Sequence, residues 1–208
     1  MGVVYVEGPP CSGKRVVMEA LRHVYGSKAK YVMSNKNELF FMLRNTLKPA
    51  PLQCSEKKSV FALMMCALKA YSSLIPPHPD GMVFVEGSPF SIGQVYAKHY
   101  FHIGLINAME YECISSYVSL FDPPHYVIKL DVGVDTVLQN SYYRDIDVEA
   151  NVDIYEICKR FSSEPETSNT LVTGPSRVAF NDDVAFGEVV GKVKKMLTFL
   201  TAPCRYPM

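Results

Sequence analysis

The stretch VVYVEGPPCSGKRVV (3–17) constrains this chain more than any other. A short apolar run, VVYV, is followed by Gly8, Gly13 and Lys14 in the spacing G-x-x-x-x-G-K, and then by the helix-period segment VVMEALRHVY. Such a loop works only where a strand end hands it to a helix N-terminus. The glycines let backbone N–H groups curl around a phosphate, the helix points its positive end at it, and the lysine reaches the outer phosphates. Gly8, Pro9, Pro10, Cys11, Ser12, Gly13, Lys14 and Arg15 are therefore the candidate nucleotide cradle. Two features are unusual. Pro9 and Pro10 remove two N–H donors, which is tolerable only if those amides are not the ones used. Arg15 stands where the pattern places a Ser or Thr hydroxyl on magnesium. Cys11 reads as a small filler, with a thiol activated by the helix N-terminus as the alternative.

The rest of the chain repeats the alternation. Nearly continuous apolar runs VVYV (3–6), KYVM (30–33), MVFV (82–85), HYVIKL (125–130) and RVAF (177–180) are separated by helix-period segments, which predicts five parallel strands covered by helices on both faces. The expected helices run from about Gly13 to Tyr25, through NELFFMLRNTL, EKKSVFALMMCALKAYSSL, GQVYAKHYFHIGLINAM, DTVLQNSYY and VDIYEICKRF, and from about Asp182 to Leu200. Proline-rich breaks at 48–51, 75–81 and 122–125 punctuate elements and do not resemble linkers, so residues 1–208 read as a single α/β domain. VYVEGPP (4–10) echoes VFVEGSP (83–89). If the two strands lie side by side, Glu7-Gly8 and Glu86-Gly87 face one crevice.

Composition narrows the partner. Lys plus Arg equals Asp plus Glu at 21 each, so no basic field exists to hold a nucleic-acid backbone, and a small molecule is expected instead. Six cysteines lie at 11, 54, 66, 113, 158 and 204 without a C-x-x-C pair, which argues against zinc and against a disulfide scaffold. They read as reduced thiols in an intracellular, cytoplasmic protein. No signal peptide, membrane span or anchor is expected. The five histidines show no ligand spacing.

From the third strand onward, VFVEGSPFSIGQVYAKHYF (83–101) resembles the deoxynucleoside kinases, including thymidine kinases of large DNA viruses. That family carries a strand, then Glu-Arg-Ser or Asp-Arg-Ser, then an aromatic helix. Glu86, Ser88, Ser91, Tyr96 and Ala97 fall in step, with Gly87 in place of the arginine. A second similarity covers VIKLDVGVDTVLQNSYYRDIDVEANVDIYEICKRF (127–161), which looks like the family's strand, helix, lid and following helix. The lid falls at about 142–150, with Arg144 on a lid arginine, Glu149 on a glutamate and Ile146 replacing another arginine.

The resemblance implies a three-layer P-loop kinase fold with a five-stranded parallel sheet and a lid. It also implies transfer of the γ-phosphoryl of ATP, with Mg2+, to a (deoxy)nucleoside 5′-hydroxyl, an activity of nucleotide salvage for DNA synthesis. Glu86 then sits beside magnesium and phosphates, or else belongs to an N-cap cluster with Ser88 capping and Pro89 at the first helical position. Arg144 clamps the transferring phosphoryl, or else belongs to an ordinary charged surface loop. The family's general base falls on Asn35, which cannot accept a proton usefully. Glu38 is the nearest carboxylate and could equally complement a helix dipole. Phe40, Phe61, Met65 and Tyr96 are offered to a base pocket, against the ordinary reading of such stripes as core.

Two alternatives share this fold. One is a nucleotide-binding protein that has lost the chemistry. The other is a thymidylate-like monophosphate kinase, whose acceptor phosphate needs an added arginine such as Arg44. The expected partner is a nucleoside or nucleotide, not a nucleic acid or a membrane, and a homodimer is the candidate assembly.

Overall fold

A computed structural model describes residues 2–33, 55–75, 81–122, 126–130, 132–142, 152–163 and 170–173, together with 191 and 195. Five parallel strands form one sheet in the order β2-β3-β1-β4-β5. In chain order, β1 (Val3–Glu7) leads to helix α1 (Lys14–Tyr25), β2 (Ala29–Val32), α2 (Ser55–Leu74) and β3 (Met82–Glu86). A helical run follows, made of α3 (Pro89–Ser91), a π-helical stretch (Ile92–Ala97) and α4 (Lys98–His102). Then come α5 (Ala108–Val118), β4 (Tyr126–Leu130), α6 (Val134–Tyr142), α7 (Val152–Ser163) and β5 (Thr170–Thr173).

The period of two along β1 divides the core. Val4 and Val6 join Val17, Met18, Ala20 and Leu21 of α1 on one face of the sheet. Val3 and Tyr5 turn to the other face, where Val83 and Val85 of β3 meet Tyr71 and Leu74 of α2. Both faces are covered, which is why the central strands read as unbroken apolar runs rather than as an alternating pattern. Phe84 is wholly buried at the middle, with the rings of Tyr25 and Tyr31 at 5.2 and 5.8 Å. Among the described residues no helix is long and apolar enough to cross a membrane.

The topology places the crevice. From β1 the chain moves to β2 on one side, and from β4 it moves to β5 on the other, so the connections diverge at the carboxyl ends of β1 and β4. The two echoed segments are neighbours in register, Val4 opposite Phe84 and Val6 opposite Glu86. Glu7-Gly8 and Glu86-Gly87 therefore leave the sheet side by side.

Two expectations need correction. The fifth strand of the sheet is Thr170–Thr173, paired with β4, whereas 177–180 lies outside the described residues. The segment expected as a single helix through 93–109 is broken. Gly104, at φ +74, follows the end of α4, and α5 starts afresh from Asn107. The Asn107 side chain accepts from the Glu110 N–H at 2.9 Å, while the Glu110 carboxylate accepts from the Asn107 N–H at 2.8 Å. This reciprocal cap is a stronger boundary than the apolar periodicity running across it. The helices expected in 37–47 and 182–200 fall on residues of which almost none is described.

Candidate functional site

The loop joining β1 to α1 is held by geometry that few sequences satisfy. A β-carbon on Gly8 would lie 2.8 Å from Ser12 Oγ, 3.0 Å from Leu130 Cβ and 3.1 Å from the Leu130 carbonyl oxygen, so only glycine lets the loop press against the end of β4. Gly13 caps α1 in the left-handed region at φ 91, and Cys11 adopts φ 56, a conformation costly for a residue with a side chain. Cys11 is anchored from outside: its carbonyl oxygen accepts from Asn140 Nδ2 of α6 at 2.9 Å. Strain of this kind persists where the surroundings over-determine the backbone, as they do at ligand clamps.

Lys14 opens α1 and folds back over the loop, its ammonium donating to the carbonyl oxygens of Gly8 at 2.8 Å and Pro9 at 2.7 Å. Helix α1 has no side-chain cap and no acid in its first turn, so its positive end is neither capped nor neutralised locally. Ser12 Oγ is buried and has no hydrogen-bond partner among the described residues. A buried hydroxyl without a partner is expensive, and an anion bound in the loop would satisfy it. These residues fit a phosphate chain. Arg15 is exposed to solvent and does not line the cavity beside the loop.

Across from the loop, β3 ends in Glu86-Gly87-Ser88. The Gly87 N–H donates to the Val6 carbonyl at 2.9 Å, tying the two strand ends together. Gly87 is at φ +73, and a β-carbon there would come within 2.7 Å of Tyr71 Oη. That phenol donates to the Glu86 carbonyl oxygen at 2.9 Å. The space into which a side chain at 87 would project is therefore taken by a tyrosine arriving from α2. Ser88 is wholly buried. Its hydroxyl donates to the Glu7 carboxylate and accepts from the Ser91 N–H at 2.9 Å, with Pro89 at the head of the helix. The π-helical stretch that follows carries Tyr96; wide turns of this kind are frequent at functional sites.

Between the two strand ends lies a cavity of about 470 Å³, within the range of small-molecule sites. Gly8, Pro10, Lys14, Glu86, Gly87 and Ser88 form its polar end. Val32, Met33, one face of α2, Ser91, Ile92, Tyr96, Tyr100 and Phe161 complete the lining. Burial and then the Glu86 charge push the Tyr71 hydroxyl well above its ordinary pKa. Tyr96 is pushed up by burial and then by Tyr100. The Cys158 thiol is also raised by burial, against the nearby Lys14 ammonium. Both phenols stay protonated as donors throughout the neutral range.

The structure thus brings Gly8, Pro10, Lys14, Glu86 and Tyr96 to one cavity, with Pro9, Cys11, Ser12 and Gly13 completing the loop behind it. Phe61 and Met65 are placed elsewhere: they pack against the cluster of Leu68, Ala97, Ile106 and Ile114 between α2 and α5. The cavity is lined instead by Val60, Leu63, Met64, Ala67, Ala70, Tyr71 and Leu74, which recur at intervals of three and four along α2. That spacing marks a single helix face, and it was the signal available in the sequence. Glu38, Phe40, Arg144 and Glu149, with Asn35, Arg44 and residues 143–150 of the expected lid, lie outside the described residues. Among the described residues no group of three or more His, Cys, Asp or Glu could hold a metal. Magnesium, which keeps several waters and takes one or two carboxylates plus phosphate oxygens, would be met here by Glu86. No protein-family model matches the chain, and no curated protein is significantly similar to it.

Proposed function

We propose that this protein is a P-loop phosphotransferase that moves the γ-phosphoryl of ATP to a hydroxyl of a small acceptor, a (deoxy)nucleoside 5′-hydroxyl, in nucleotide salvage. One observation carries the reading: Lys14 of the phosphate loop and Glu86 of the neighbouring strand line the same acceptor-sized cavity. Phosphoryl transfer asks little covalent chemistry of a protein and depends on positioning and charge neutralisation. Lys14 neutralises the outer phosphates, the first turn of α1 supplies N–H donors, and the hydroxyl of Ser12 finds its partner in a phosphate oxygen. Glu86 takes the metal or its waters beside the transferring group. Arg144 of a lid over 142–150 neutralises the charge that develops during transfer. The order β2-β3-β1-β4-β5, with the loop leaving the central strand, supports the three-layer kinase architecture for this chain.

A specific observation also favours binding without transfer: no hydroxyl follows Lys14, and the exposed Arg15 replaces it. A thymidylate-like kinase is less well supported, because Lys14 is the sole cation among the described residues that line the cavity. The test is transfer of label from γ-labelled ATP to a panel of deoxynucleosides and nucleoside monophosphates, with Lys14→Ala as control. Labelled nucleoside 5′-phosphate, absent with Lys14→Ala, is expected. Tight ATP binding with no labelled product from any acceptor would leave the binding reading, and labelled diphosphates would leave the monophosphate kinase.

A further inference from the structure

The composition of the cavity wall says how an acceptor is recognised. A nucleobase presents several donors and acceptors along one edge, and proteins that read that edge oppose it with amides, carboxylates or guanidinium groups making paired contacts. Among the described residues lining this cavity there is no Asn, Gln, Asp, Arg or His. Its two charged groups, Lys14 and Glu86, both sit at the phosphate-loop end. The hydroxyl of Ser88 is committed to Glu7 and to the Ser91 N–H, and Ser91 Oγ donates to the Ser88 carbonyl at 3.0 Å. Tyr71 spends its proton on the Glu86 carbonyl. What faces the interior from α2 is Val60, Leu63, Met64, Ala67, Ala70 and Leu74, joined by Ile92, Phe161, Tyr96 and Tyr100, so that beyond the loop end the side-chain donors left among the described lining residues are two single phenols.

Resting on the phosphotransferase reading, we propose that the cavity seats the acceptor's base by shape and apolar contact, with no more than single contacts from the Tyr96 and Tyr100 phenols, rather than by paired hydrogen bonds to its edge. The acceptor class is then a nucleoside of broad base identity, with flat and weakly polar bases preferred. Aliphatic and aromatic side chains give each ring contact area without demanding a particular donor pattern. The two modes of recognition separate by a wide margin. A site built to hydrogen-bond a substrate rejects an analogue lacking those groups by about 10⁴-fold or more, whereas an apolar pocket separates close isosteres by only about 10- to 200-fold.

The experiment compares thymidine with its difluorotoluene deoxyriboside isostere, which keeps the ring shape and has no hydrogen-bonding edge, using the full chain with ATP and magnesium. The isostere is expected to be phosphorylated with a kcat/KM within about tenfold of thymidine. A loss of about 10³-fold or more with the isostere, while thymidine is turned over, would overturn the inference and leave the kinase reading standing. Failure of both nucleosides while ATP binds would overturn the inference together with the nucleoside acceptor. Ala67→Leu, which fills the cavity from α2, locates the base: KM for both acceptors should rise about tenfold with ATP affinity unchanged. Ala70→Leu serves the same purpose if Ala67→Leu does not fold, and an unaltered KM in a folded filling variant would place the base elsewhere and overturn the inference.

Discussion

The hydroxyl of Tyr71 sits where a side chain on Gly87 would begin, 2.7 Å from an ideal β-carbon, and donates to the carbonyl of the preceding Glu86. Glycine at 87 is thus demanded twice, by the left-handed φ of +73 and by the tyrosine. Gly87→Ala should cost about 2–4 kcal/mol, the sum of a positive-φ penalty and a displaced hydrogen bond. In a Tyr71→Phe background the second part vanishes, so the same substitution should cost about 1–2 kcal/mol. Urea denaturation of the four proteins measures the cycle. Additive costs would mean that Tyr71 does not hold the Gly87 turn.

Ser88 links the two strand ends in another way. Its hydroxyl serves the Glu7 carboxylate and the first turn of α3 at once, and it is wholly buried. Ser88→Ala removes a helix cap and leaves the carboxylate short of a donor, so it should destabilise the fold by about 2–4 kcal/mol. Glu7→Gln keeps an acceptor oxygen and should cost about 1 kcal/mol or less. If the two variants proved equally mild in urea, the hydroxyl would be making neither contact in solution.

How much of this was legible in the sequence depends on how local each feature is. The G-x-x-x-x-G-K loop is contiguous, so its spacing alone indicated strand, loop and helix. The four strands β1 to β4 were readable because strands covered on both faces are continuous apolar runs. The fifth was not: Thr170–Thr173 lies at the sheet edge with a threonine at each end, and RVAF is the more apolar run. Asn107 and Glu110 carry the capping-box spacing, but apolar periodicity across Gly104 hid it. Phe61 and Met65 were chosen for their chemistry, whereas the face of α2 is set by position, one residue earlier at Val60 and Met64. The Tyr71–Gly87 contact joins two elements through the tertiary fold, and no local pattern announces it.

Alkaline pH should unfold the protein through its buried phenols. Tyr5, Tyr71 and Tyr96 all have their pKa raised above 10.0, by burial first in each case. A group whose folded pKa is raised contributes stability that is complete below the unfolded pKa and is lost as pH rises toward the folded value. From about pH 10 the unfolded chain sheds protons that the folded chain keeps, and each such phenol lowers stability by up to about 1.4 kcal/mol per pH unit. Cys158 begins the same decline earlier, from its ordinary value of 9.0. Urea midpoints should therefore hold steady below about pH 9 and fall steeply above pH 10, with a shallower fall in Tyr71→Phe. Tyrosinate absorbance rising fully before the fold is lost would contradict the burial of these rings.

The last prediction concerns Arg15, which follows Lys14 where a magnesium-binding hydroxyl is expected. A guanidinium and a divalent ion about 4 Å apart would repel by ~4 kcal/mol per unit charge product at an effective dielectric of 20, so the two cannot share one position. The long stem of arginine resolves the conflict, since Arg15 lies exposed and outside the residues that line the cavity. On the phosphotransferase reading, with the guanidinium in solvent, Glu86, waters and phosphate oxygens would be left to hold magnesium. Arg15→Ser then restores a ligand without removing a phosphate contact. ATP affinity with magnesium chelated should stay within about twofold of wild type, while affinity in excess magnesium should tighten by about tenfold, or 1.4 kcal/mol. Calorimetry under the two conditions decides the matter. A loss of affinity that is largest without magnesium would make Arg15 itself a phosphate ligand, and the protein would then hold its nucleotide with an arginine in place of a metal.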